Sequence, residues 1–468
     1  MLLRKTEWWI LLALALLWLA LRVPHIGARF SFNLDSSAYA RGMDDFNVVK
    51  HQPHPPGYIL WIFSARALRP LAGGPMQAQI VLALLMSLLA LAVFYALARQ
   101  VLTESHAAAM CTLLLAYSPG IALNSSISQS SIVDLASSSV AGYLAFLDPR
   151  RSQWRIVACL GALGILAGFR PSGAGLLAPF VAAAALAHAR YAWCAVCGGV
   201  LLALVAVLAW AIPLERNAGG WDVLFQLLVT HFRDVSGRSS IFLGSTVRRY
   251  LSMVADNSIY YGMNVGVWLL AFGVLFRWRR KLLPGRWWYA LWLAPSLIMV
   301  FGIHSGRVGQ CLQTFPPLLL VCALLGRVRL SATVAGVLLS LAISYFPYGR
   351  FMSSERWMAA YLPYRSTPRL ALDLEASQRN LDNRLRELQR SGAPQPFVCA
   401  RNLPDAPTVR TAAYDFHYVN WVEPLAAPAG PSIWLFDQHG PDAQLRGRYH
   451  EWRRIWGDEL ISIWQAAH

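Results

Sequence analysis

Apolar residues run in long, uninterrupted blocks through the first three quarters of the chain. Blocks of the length needed for a bilayer core of ~30 Å recur about eleven times. They lie at 8–24, 76–98, 104–118, 126–146, 154–169, 172–188, 191–212, 260–276, 287–303, 309–326 and 330–347. Each is predicted to be a membrane-spanning helix. The stretch between the first two blocks is different. In "FNLDSSAYARGMDDFNVVKHQPHPPGYILW", the spacing predicts an amphipathic helix from about Ser36 to Phe46, with Tyr39 and Met43 on one face, lying along the membrane surface. "HPPGY" then turns the chain rigidly, since proline fixes φ and needs no ladder partner. Tyr58, Ile59, Leu60 and Trp61 open a second surface helix. Beyond residue 350 the pattern changes again. "LDLEASQRNLDNRLRELQRSG" spaces its apolar residues as a helix stopped by Gly392, and "PFVCA" and "SIWLF" read as short buried strands. The fold class expected is an all-α polytopic membrane domain over 1–349 and a small α/β domain over 350–468.

Composition agrees with the pattern. The chain is 56% hydrophobic and 14% charged, with a mean hydropathy of +0.42, well outside the range of soluble domains. A net charge of +17 would suit nucleic acid, but the cations do not form a face. Arg4 and Lys5, Arg99, the Arg150–Arg151–Arg155 group and Arg190 fall at alternate span boundaries. Arg277, Arg279, Arg280, Lys281 and Arg286, then Arg327 and Arg329, continue the series. Positive residues stay inside, so the N-terminus is expected in the cytoplasm and the C-terminus outside. No small-x-small site follows the first span, which argues against a signal peptide. Cys194 and Cys197 form a lone CxxC and read as small packing residues, and Cys399 has no partner for a disulfide within the tail. This topology puts 25–75, 213–259 and the tail outside; 213–259 carries no readable pattern.

The candidate chemistry gathers on that outer side. Asp35 lies one turn beyond the membrane, followed by Tyr39 and then by His54 and Tyr58 at the corner. Their structural alternative is a plain turn between two surface helices. "NSSISQSSIVDLASSS" places Ser126, Ser130, Asp134, Ser137 and Ser138 at i, i+4 spacing on one helix face. An acid at such a depth normally faces a wet cavity. Arg170 in "GFRPSG", and His304 and Arg307 in "IHSGRVGQCLQTFPPLLL", end two further spans on the same side. Either arginine alone reads equally well as snorkelling to headgroups; two acids and two arginines on one face point to a site.

The order Asp35, Tyr39, "HQPHPPGY", "GFRPSG" and "HSGRVGQ…PPLLL" resembles bacterial membrane glycosyltransferases of the GT-C superfamily. The branch is that of the protein O-mannosyltransferases and the aminoarabinose transferase of lipid A. The resemblance covers roughly residues 7–347. It implies a polyprenyl-phosphate-linked sugar donor, a glycan, lipid or protein acceptor, and the bacterial inner membrane. It also implies a catalytic aspartate at Asp35, with Asp134 as the second outer-facing acid. Many relatives carry an Asp-Glu pair where this chain has Asp35–Ser36, so the divalent metal tied to that pair stays open: the family admits one, and this sequence does not imply it. Chemistry points the same way. An acceptor hydroxyl needs a base as it attacks the anomeric carbon, a task a carboxylate assists by about 10²–10⁴-fold. The phosphate leaving group needs positive charge, from Arg170 or Arg307 with His304, His54, Tyr58 and Tyr39 lining the donor site. A single displacement inverts the anomeric centre. A transporter or flippase of lipid-linked glycans is the alternative, though the paired broken helices of many transporters are not visible.

Overall fold

Helices occupy most of the described part of the apolar blocks in the computed structural model, which describes residues 5–28, 34–150, 153–273, 286–303, 308–326, 328–345 and 368–390 and five strands in the tail. In chain order they are α1 (Lys5–Ala20), α2 (Val23–Ile26), α3 (Leu34–Asp44), α4 (Ile59–Ala72), α5 (Pro75–Leu102), α6 (Ser105–Tyr117) and α7 (Pro119–Asn124). Then come α8 (Ile132–Ala145), α9 (Gln153–Phe169), α10 (Pro171–Ala218), α11 (Trp221–Gly237), α12 (Val247–Ala271), α13 (Arg286–Ile298), α14 (Phe315–Leu325) and α15 (Leu330–Tyr345). Among the described residues, Trp9–Ile26, Pro75–Leu102 and Pro171–Ala218 are long and apolar enough to cross a membrane, and shorter apolar helices accompany them. Large apolar side chains such as Trp9, Leu16, Leu201 and Val205 face outward. That is a poor surface for water and a good one for lipid.

The continuous helix α10 is in truth two. Ala192 has φ −147° and ψ 48°, outside the helical region. The packing shows a reversal there. Val157 and Leu160 of α9 lie against Gly199, Gly161 against Leu202, Gly164 against Ala203, and Gly168 against Trp210. Both partners advance together along the chain, so α9 and the second half of α10 run parallel. The first half, which joins them in the chain, must therefore run back in the opposite direction. Glycines on this seam let the backbones approach, as small residues do between helices in lipid. Arg170 stands at one end of this triple pass and Arg190 at the other. Cys194 and Cys197 do not pack inside; both are exposed on the outward flank of α10.

The first loop folds as two helices, but not as a free surface layer. The Tyr39–Met43 face of α3 is buried in protein, against α4 and α5. Between them Asn47 and Gln52 exchange backbone hydrogen bonds of 2.7 and 2.8 Å. Asn217, at the end of α10, clamps this turn, accepting from Val48 N at 3.0 Å and donating to Phe46 O at 2.7 Å. The loop is thus fixed to the end of α10.

In the tail the helix Pro368–Arg390 packs on the last strand and on α7 and α15. Five strands, β1 (Phe397–Cys399), β2 (Phe416–Tyr418), β3 (Ser432–Asp437), β4 (Glu451–Gly457) and β5 (Ile461–Ala467), form a sheet in the order β2-β1-β3-β5-β4. The first three pair in parallel, and β5 runs antiparallel to β3 and β4, with Trp434 opposite Trp464. "PFVCA" and "SIWLF" supply β1 and β3.

Candidate functional site

Asp35 lies in the first turn of α3, where a carboxylate suits the helix dipole. Its side chain is 14% exposed, and its Oδ1 lies 3.7 Å from Nδ1 of His54. One turn on, Tyr39 stacks on the His54 ring at a centroid distance of 5.9 Å, and Tyr58 meets both rings at 5.2 Å. The corner makes this possible. Tyr58 is held at φ 45°, a left-handed conformation that costs an L-residue about 1–2 kcal/mol. Burial pushes the Tyr39 hydroxyl well above the ordinary phenol range, with Tyr58 and Asp35 adding to the effect. It therefore stays protonated at neutral pH.

The second half of the site comes from α8 and the turns before it. Ser126 and Ser130 are not on the helix, which begins only at Ile132; the expected i, i+4 face is replaced by a folded loop. That loop reaches α3 directly. Ser36 Oγ donates to Ser128 O at 2.9 Å, and the hydroxyls of Tyr39 and Ser130 lie 3.2 Å apart. Arg170 then links loop to helix, donating from Nη1 to Ser130 Oγ at 3.1 Å and from Nε to Asp134 Oδ2 at 2.6 Å. The two charged side chains are 8% and 2% exposed. Gln313 closes the far side, donating to Gly173 O at 2.7 Å and to Asp134 Oδ1 at 3.4 Å, while its own Oε1 accepts from Ser296 at 2.8 Å. Gly173 is needed here, because a Cβ would lie 1.9 Å from Asp134 Oδ1.

Asp35, Tyr39, His54, Tyr58, Arg170 and Asp134 thus belong to one connected cluster. His304 and Arg307 lie outside the described residues. Asp134 and Arg170, expected as an acid and a phosphate-binding cation, are instead committed to each other. Ser128, Ser130 and Gln313 were not foreseen as a linked set, although "SQSS" and "QCLQT" hold them. Nor was His231 of α11, whose ring lies 5.2 Å from His54 and 6.4 Å from His51. Among the described residues, no three or more His, Cys, Asp or Glu side chains are grouped as metal ligands.

No family model matches the sequence, and no curated protein matches it. Solved structures match the fold along nearly its whole length. ArnT from Cupriavidus metallidurans bound to undecaprenyl phosphate superposes with a TM-score of 0.61 at 14% identity, covering 99% of this chain and 98% of that one. The apo state of the same protein gives 0.58 at 13% identity, with the same coverage.

Proposed function

We propose, from the GT-C fold shared with ArnT, that this chain is a membrane glycosyltransferase. It moves a sugar from a polyprenyl-phosphate carrier to an acceptor hydroxyl on the outer face of the bacterial inner membrane, with inversion. The observation that carries the reading is the carboxylate of Asp35, nearly buried and 3.7 Å from the His54 imidazole, in a fold like that of ArnT, which has been solved with undecaprenyl phosphate bound. The topology proposed has eleven crossings, counting the two halves of α10 separately. The N-terminus is then cytoplasmic and the 350–468 domain is outside.

In this mechanism Asp35 takes the acceptor's proton as the acceptor oxygen bonds to the anomeric carbon. The bond from that carbon to the phosphate oxygen breaks, and the lipid phosphate leaves with the electron pair. His54 and Tyr39 hold the carboxylate in place, with Tyr58 packed on both rings. Arg307, with His304, supplies the charge that stabilises the departing phosphate. Arg170 and Asp134, neutralising each other, fix the 128–130 loop against α3 and so position Tyr39 and Asp35. No nucleic acid and no cofactor enter this scheme.

The test is turnover. Purified protein in lipid nanodiscs, given undecaprenyl phosphate carrying radiolabelled sugars, should release free undecaprenyl phosphate and transfer label to an envelope extract. Intact donor throughout, with label moved across proteoliposome membranes, would favour a flippase instead.

A further inference from the structure

The outer segment that the sequence leaves unreadable folds into a three-sided helix. One side of α11 faces the protein: Leu224 is buried and Leu227, Leu228, His231 and Val235 are half-buried, with Leu224 packed on Val48, Ile59 and Leu214. A second side carries Trp221, Phe225 and Phe232 at 54%, 69% and 48% exposure. The third is polar and exposed, with Asp222, Gln226, Thr230, Arg233 and Asp234. Three large aromatics on one open helix face are a costly surface in water, since each side chain carries roughly 150–250 Å² and about half or more of it is open.

Two features bear on what covers them. The second half of α10 leads into α11 through Gly219 and Gly220, both at positive φ. That half exposes Val200, Leu201, Leu204, Val205, Leu208 and Ile212, on a stretch long and apolar enough to cross a membrane. The exposed aromatics of α11 thus follow in the chain directly on a helix whose exposed flank is apolar over several turns. Beyond α11, Phe242, Val247 and Leu251 are exposed as well, with exposed Arg248 and Arg249 between the last two in the chain. An apolar face flanked by arginines is the pattern of a helix seated among anionic lipids.

We infer that the Trp221–Phe225–Phe232 face of α11 is seated in the outer leaflet, with Arg233, Arg248 and Arg249 at its phosphates, and that this seating holds His231 against His54. The partner is the lipid surface itself. His231 is a positioning residue: it packs on the imidazole that accompanies Asp35. This second half rests on the proposed transferase reading; the first rests only on the chain being in a membrane.

Spin labels on single cysteines at positions 225, 232, 226 and 230, in a cysteine-free background in nanodiscs containing phosphatidylglycerol, separate the cases. Labels at 225 and 232 should be reached by oxygen and shielded from a nickel chelate, with the reverse at 226 and 230. Equal nickel access at all four overturns the seating, and exclusion of both reagents at 225 and 232 does so too, by pointing to a protein partner. The second arm reads donor turnover. F225D/F232D and H231A should each lower kcat at least about tenfold, because small misplacements near a reacting group are costly, and the triple variant should lose no more than either. Lipid-seated labels with full turnover in H231A would overturn the role of His231 alone. Absence of turnover in the unaltered protein would strike at the transferase reading and leave the seating to the spin labels.

Discussion

Three aspartates share the first loop, and their surroundings separate them. Asp35 is nearly buried beside His54, whereas Asp44 and Asp45 are exposed and pair with Arg69 and Lys50. Asp35→Asn keeps the size and polarity but cannot accept a proton. It is expected to cut kcat by at least ~10²-fold in folded protein, while Asp45→Asn leaves turnover within about twofold, as surface charges usually do. Near-normal turnover of Asp35→Asn would sink the mechanism. The Asp134–Arg170 pair predicts a different signature. Removing one partner strands a buried charge, at about 3–5 kcal/mol, whereas replacing both by apolar residues is far milder. Arg170→Met should thus lower the unfolding temperature in detergent sharply, and Asp134→Leu/Arg170→Met should recover much of it. If the double variant is as unstable as the sum of the singles, the pair is not the unit described. The Asp35, Tyr39, His54 and Tyr58 cluster was legible because one short loop holds it. The pairing of Asp134 with Arg170 was not, since a sequence shows that two opposite charges reach the same side but not that they consume each other.

At the scale of elements, the misreading of the fourth apolar block has a physical cause. Serines compete with the backbone for hydrogen bonds. Here Ser125 and Ser126 both donate to Ala122 O, at 3.1 and 2.8 Å, capping α7. The chain leaves the helix and re-enters it at Ile132, which frees Ser128 and Ser130 to meet α3 and Arg170. Hydrophobic periodicity alone cannot show such a break inside an apolar run. The same limit hid α11, whose two apolar sides merge into one broad stripe in the sequence. The approach of α10 to α8 is sharper still. Gly173→Ala should displace Asp134 or Gln313, lowering both turnover and unfolding temperature, whereas Gly175→Ala, where a Cβ meets nothing within 4 Å, should change neither. Equal effects at the two positions would count against the close contact at Gly173.

For the whole molecule, the alternating cations and the fold suggest one arrangement across the bilayer. In a cysteine-free background, a cysteine placed at Lys281, which lies outside the described residues, is expected to resist an impermeant thiol reagent in intact spheroplasts, while one placed at Gln226 should react. The reverse pattern would invert the topology. Within that arrangement, the parallel seam between α9 and the second half of α10 sets an order on biogenesis. The Val157–Gly168 face leaves the ribosome before its partner, Gly199–Trp210, has been made. It must wait in lipid while the intervening pass is threaded back. Closing the seam is thus a late event of assembly, separate from the insertion of each span. A leucine at Gly164, where Ala203 O would lie 2.6 Å from a Cβ, should leave the spans inserted and the bundle open: normal reporter-fusion topology, with a protein that degrades before its outer site is ever built.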